Sequence, residues 1–159
     1  MDTQDSQANI NCDIYQNIGF LATKLRFWLS SEFDRRIAPL GIIHPQAGIL
    51  WQSHQQASSQ TNLRGSALSD KNYVRMYVDD LESKGLATRK QNPKNRRENL
   101  IVLTPSGRQC AEQTYQMMKE VHNDLLLEHI SEDEMKELHR ILHKAVIGLE
   151  NKERQKGKQ

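Results

Sequence analysis

Apolar residues recur along this chain at spacings of three and four, in separate stretches bounded by residues that start or stop helices. Ile14, Ile18, Leu21, Leu25, Trp28 and Leu29 draw the first stripe, with Gln, Asn, Lys and Arg between them. It predicts a long helix from Asp13 that Pro39-Leu40-Gly41 stops. A second helix is predicted near His44-Pro45, with Pro45 suited to a first turn and Ala47, Leu50 and Trp51 as its apolar face. Residues 58–62 form a polar break, and a short helix is expected around residues 63–68. Ser69 and Asp70 then offer N-caps for a helix over residues 71–84. Its inner face is Val74, Val78 and Leu81, with Tyr77 beside them. Asn72, Arg75, Met76, Asp79 and Ser83 fall on the opposite face, and Gly85 suits the C′ position.

The period then changes from helical to alternating. Residues 86–91 read as a strand, 92–95 (Asn-Pro-Lys-Asn) as a turn and 99–103 as a second strand, which together make a β-hairpin. Thr104 as cap and Pro105 in the first turn restart a helix that runs to about residue 127. Ser131-Glu132-Asp133-Glu134 is a capping box for a last helix. There Met135, Leu138, Leu142, Ala145 and Leu149 keep a strict three-four spacing, the narrow stripe one helix needs to pack on another. The chain after Glu150 is polar and basic, and residues 1–11 form a polar arm.

Composition narrows the class. The chain has 159 residues, of which 36% are hydrophobic, 26% charged and only 6% aromatic. Few aromatics and few glycines and prolines disfavour a barrel or sandwich, so the fold class is mainly α with a small β-hairpin. A low apolar fraction favours long exposed helices and a core completed by a second copy. No apolar run approaches a membrane span, and the polar, acidic start is unlike a secretion signal, so a cytoplasmic location is expected. Cys12 and Cys110 lie far apart in no metal or redox pattern. No solenoid-type repeat is present.

The charge map says more than the net charge of +2. Lys84, Arg89, Lys90, Lys94, Arg96 and Arg97 crowd the hairpin with no acidic residue among them, while residues 119–139 carry seven acidic residues against two basic ones. A charge run is most often a solvated face. Here it follows two short helices at 63–84 that read as a helix-turn-helix, and a basic hairpin beside that motif is suited to a DNA backbone or minor groove. Recognition helices read base edges from their N-terminal residues. Arg75 can pair with guanine and Asn72 with adenine. Lys71 suits a phosphate, Tyr73 and Met76 complete the outward face, and Arg89, Lys94, Arg96 and Arg97 form the hairpin's contacts. Asp79 belongs in a local salt bridge.

Across residues 72–107 the chain resembles the MarR family of winged helix-turn-helix regulators. The matching stretches are Asn72 to Leu86 with its Leu-Glu-Ser-Lys-Gly-Leu ending, then Arg89, then Asn92-Pro-Lys-Asn-Arg-Arg97, then Leu100-Ile-Val-Leu-Thr-Pro-Ser-Gly107. The helical pattern extends the resemblance over roughly residues 14–149. Two departures stand out. The wing aspartate of the family's Asp-x-Arg pattern is Asn95 here, while its arginine falls on Arg97. Leu68-Ser69 replaces a usual glycine and aliphatic residue. The resemblance implies a homodimer joined through residues 13–43 and 105–150, with 44–104 as the DNA-binding part, 1–12 an arm and 151–159 a basic tail. It also implies a palindromic site with half-sites about one helical turn apart, repression of a promoter and release by a small molecule.

Family members often bind phenolic or aromatic acids between the dimerisation and winged parts. Arg26, Trp28, His44, Trp51 and His54 lie on helices that would surround such a pocket, since an arginine pairs with a carboxylate and a tryptophan stacks on a ring. The bland alternative is that the tryptophans are core and the rest surface. Redox sensing is a rival, because some related regulators use a cysteine near the first helix. Cys12 is not at a matched position, its neighbour Asp13 gives a thiolate no help, and Cys110 reads as a packing residue. His122, His129, His139 and His143 read as surface histidines rather than a metal site. No nucleophile, metalloprotease, phosphate-loop or dinucleotide motif points to an enzyme or cofactor. A helical adaptor that dimerises without DNA is the alternative from another class.

Overall fold

The structure, a computed structural model, describes residues 12–64 and 71–157. Asp13 caps a single 3-10 turn, Ile14–Gln16, by accepting the Tyr15 N–H. The chain then restarts as α1, Ile18–Ile37, because Asn17 Oδ1 accepts the Phe20 N–H at 3.0 Å. The continuous helix expected from Asp13 is therefore two pieces, divided by an asparagine whose side chain competes for the backbone. Pro39 and Gly41, the latter at φ 69, end the segment as the sequence predicts. α2, His44–Gln55, starts on Pro45, and Gln46 Oε1 accepts the Ile43 N–H at 3.0 Å.

Ser58–Ser59 is a strand, β1, and the short helix α3 spans Gln60–Arg64, ahead of the position expected for it. Ser59 Oγ accepts the Asn62 N–H at 3.2 Å and so draws the helix start forward. Residues 65–70, with the expected caps Ser69 and Asp70 and the Leu68-Ser69 turn, lie outside the described residues, as does the arm at 1–11.

α4, Lys71–Ser83, ends at Gly85 with φ 68. The Leu86 N–H donates to Leu81 O and the Gly85 N–H to Glu82 O, the paired closure of a Schellman motif. β2, Ala87–Asn92, pairs antiparallel with β3, Asn95–Leu103, from Ala87 opposite Leu103 to Asn92 opposite Asn95, with an irregularity at Gln91/Asn92. β3 begins four residues before the strand read from sequence, because Asn95 pairs with Asn92 and residues 96–98 take up the irregularity before Asn99 meets Gln91. β1 pairs on its other side, Ser58 opposite Ile101 and Ser59 opposite Leu100, giving the sheet order β1-β3-β2.

α5, Pro105–Leu126, is capped by Thr104, whose Oγ1 accepts the Gly107 N–H at 3.0 Å and donates to Gly85 O at 2.6 Å. α6, Glu132–Lys156, opens with the expected Ser131/Glu134 capping box. It continues past Glu150, where the sequence reading placed a tail. Arg154 faces Glu150 at 4.0 Å one turn away, and basic residues suit a helix C-terminus.

The core joins Phe33 and Ile37 of α1, Ile49 and Leu50 of α2, Leu63 of α3, Val74, Val78 and Leu81 of α4, Ile101 of β3 and Val121 of α5. The two ends of the chain take little part. α6 has no buried residue, and Leu142, Val146 and Leu149 are exposed, as are Ile14, Ile18, Phe27 and Trp28. Among the described residues no helix is long and apolar enough to cross a membrane.

Candidate nucleic-acid interface and the cavity behind it

α4 divides as its sequence predicts. Val74, Val78 and Leu81 are at most 1% exposed, while Tyr73, Arg75, Met76, Asp79 and Ser83 face solvent. Tyr73 stacks on Tyr77 with ring centroids 6.3 Å apart, which braces the outward face one turn along. The side chains of Lys71 and Asn72, at the start of this helix, lie outside those described.

The hairpin is a wing beside this helix. Its tip is shaped by two asparagines: Asn92 Oδ1 accepts the Lys94 N–H at 3.0 Å, and Asn95 Oδ1 accepts the Arg97 N–H at 3.2 Å. These are local turns of the kind asparagine favours. Asn95 thus holds the Arg97 backbone with a neutral amide, and Lys94, Arg96 and Arg97 extend into solvent.

Arg89 behaves differently from the other wing cations. Its Nη2 lies 2.7 Å from Asp79 Oδ1, its Nη1 pairs with Glu82, and its backbone N–H donates to Glu82 Oε1 at 2.7 Å. Only 19% of its side chain is exposed. The sequence reading placed Arg89 among DNA contacts. The structure uses its guanidinium to bind β2 to α4, because two acids seven and ten residues upstream fold back onto it. Asp79 is in the expected salt bridge, closer to Arg89 than to Arg75, which is 4.0 Å away.

Behind this surface α1, α2, α5 and α6 line an open cavity of about 610 Å³, with the exposed side chains of Ile18, Leu21 and Leu142 at its mouth. Leu25, Leu29, Phe33, Met118, Leu138 and Leu142 make most of its wall. Of the five ligand candidates, Arg26, His44 and Trp51 line it. Trp51 Nε1 donates to Thr114 Oγ1 at 3.1 Å, and His44 Nδ1 lies 3.3 Å from Asp34 Oδ1. Trp28 does not line it; it is 62% exposed, edge-on to Phe27. Nor does His54, which meets Glu112 at 3.0 Å in a separate pocket of about 220 Å³ with Trp51 and Tyr115.

His122 is the cavity residue that sequence reasoning missed. It is half-buried in the wall, and burial, followed by the nearby His139, pushes its imidazole below the ordinary histidine range. The available signal was its place four residues after Met118 on the apolar face of α5. His139 and His143 stack at 6.0 Å, and among the described residues no three metal-ligating side chains converge. Cys110 packs against the core, and burial pushes its thiol up, as befits a packing residue. Cys12 is exposed.

No family model matches the chain. It is 25% identical over 114 residues to the HTH-type transcriptional regulator BilQ of Clostridium symbiosum, covering 72% of this chain and 76% of that one. A MarR-family transcriptional regulator from a Rhodococcus species superposes with TM-score 0.78 at 21% identity, over 85% of this chain and 96% of that one. CouR from Rhodococcus jostii, solved with p-coumaroyl-CoA, gives 0.73 at 22% identity over 85% and 95%. CouR has also been solved on a DNA duplex, with TM-score 0.72 at 22% identity over 86% of this chain and 99% of that one. The chain has the winged helix-turn-helix fold of MarR-family regulators, in agreement with the resemblance carried by residues 72–107.

Proposed function

We propose that this protein is a sequence-specific DNA-binding transcriptional regulator, acting as a homodimer that represses a promoter and is released by a phenolic or aromatic acid. The observation that carries this reading is one continuous surface. The outward face of α4, with Tyr73, Arg75 and Met76, adjoins a wing that extends Lys94, Arg96 and Arg97, and Arg89 straps the two together. In this reading α4 enters a major groove, with Lys71 and Asn72 at its leading end, and the wing follows the backbone. Arg89 leaves the set of DNA contacts and becomes a positioning residue. Solved structures of the same fold hold a DNA duplex and a ligand bearing an aromatic acyl group, which supports both halves of the proposal.

Dimerisation is supported by the apolar residues left exposed at both chain ends, from Ile14 to Trp28 and from Ile141 to Leu149. Surface of that kind is characteristic of an interface between copies. The effector reading rests on the cavity between those ends and the winged part, with Arg26, His44 and Trp51 kept as candidates and Trp28 and His54 set aside. A ligand that favours one spacing of the two α4 helices shifts the population away from the DNA-bound state.

The deciding experiment is selection of duplexes from a random pool at near-physiological salt, followed by sequencing. Enrichment of a palindrome with half-sites about one turn apart is expected. If no sequence is enriched, the regulator reading fails and a dimeric helical adaptor takes its place.

A further inference from the structure

We propose that His122 is the anion-pairing residue of the cavity, and that an apolar carboxylic acid entering it is accompanied by one proton from solvent, which settles on this imidazole. The inference rests on the effector reading above.

The cavity wall is aliphatic and aromatic, and no carboxylate is among its lining residues. Its ionisable groups are Arg26, His44 and His122. From the α1–α2 side His44 faces inward but is already paired with Asp34. Arg26 faces the space from the exposed side of α1. From α6 the facing group is His139, itself stacked on His143. On α5 the carboxylate two residues on, Asp124, is turned to another side of the helix and held by Arg36 at 2.7 Å. His122 is therefore half-buried with no acid among the cavity's lining residues to support its charge, and burial followed by His139 holds it below the ordinary histidine range.

A carboxylate in this space supplies the missing partner. The ligand is ionised well above its own pKa of about 4 to 5, so it enters as an anion. Its charge favours the imidazolium, and the complex is ligand anion, protein and one proton. The empty protein holds His122 below the usual histidine value, and the complex raises it. Between those two values binding takes up a proton. Affinity therefore rises as pH falls through the bound-state value and levels off below the empty-state value.

The test uses the full chain and naphthoate as probe, titrated calorimetrically in two buffers of different ionisation enthalpy from about pH 8 to about pH 6. The expected result is uptake of up to one proton per naphthoate, with affinity rising up to about tenfold per pH unit inside the window. Naphthamide, uncharged and of similar shape, is expected to bind without uptake. His122→Gln should bind naphthoate more weakly and with a flat pH profile, while His129→Gln, an exposed histidine away from the cavity, keeps the wild-type uptake. Wild-type binding without proton uptake overturns the assignment and leaves the effector cavity standing, and uptake that persists in His122→Gln overturns it equally. Failure of both probes to bind at any pH removes the effector reading together with the inference.

Discussion

Gly107 shows how little room a single position leaves. A Cβ built there would lie 1.8 Å from the Leu86 carbonyl oxygen, so the first turn of α5 rests directly on backbone. Gly107→Ala is expected to destabilise the protein by about 1–3 kcal/mol, the range for overpacking a closed site, as read from chemical unfolding. Glu32 shows the same economy in charge. Arg35 and then Arg36 hydrogen-bond its carboxylate and lower it from 4.5 to about 2. A depressed acid supports the fold above its unfolded value and loses that support as pH falls through its folded value. The stability gap between wild type and Glu32→Gln should close between pH 4.5 and about 2, and an NMR titration of Glu32 should place its midpoint at the lower end. Roles of this kind were only partly legible in the chain. Gly107 stood out through a motif match, since Leu86 lies far away in sequence. Arg89 looked like a phosphate contact because a charge run does not reveal Asp79 and Glu82 folding onto it.

Among elements, the strap between α4 and the wing separates positioning from contact. Arg97→Ala should weaken binding to all duplexes alike and reduce the salt slope by about one. Arg75→Ala should instead narrow the gap between cognate and scrambled duplexes; equal loss on both would mark it as a phosphate contact. Arg89→Gln should lower both affinity and the thermal midpoint while leaving the salt slope unchanged, because its guanidinium is occupied within the protein. Elements with strong period and caps were readable: α2, α4, α5, α6 and the hairpin fall close to where spacing, Pro45, Gly85, Pro105 and Ser131 put them. β1 was not readable, because two serines carry no alternation and acquire strand geometry only from Leu100 and Ile101 opposite them. The break at Asn17 was missed because its neighbours keep helical spacing on both sides.

At the scale of the molecule, the exposed stripes of α1 and α6 are the surface on which the proposed second copy would pack. Val146→Asp with Leu149→Asp should shift sedimentation from dimer toward monomer and make the thermal midpoint fall on dilution. The cavity was half legible. The helices that surround it were predicted, and Arg26, His44 and Trp51 reach it, but which side of α1 faces inward depends on how α1 packs on α2 and α5. Trp28 therefore pointed away and His122 inward. β1 covers β3 only at Leu100 and Ile101, so among the described residues no strand pairs with that side of β3 from Asn95 to Asn99. Arg96, Arg97 and Glu98 occupy that edge, and charge on an open edge deters association with the sheets of neighbouring molecules. The cations proposed to meet phosphate thus also guard the protein's solubility. Replacing them with valine or threonine should yield material that precipitates on concentration, whereas glutamate at the same places should abolish DNA binding and leave the solution clear.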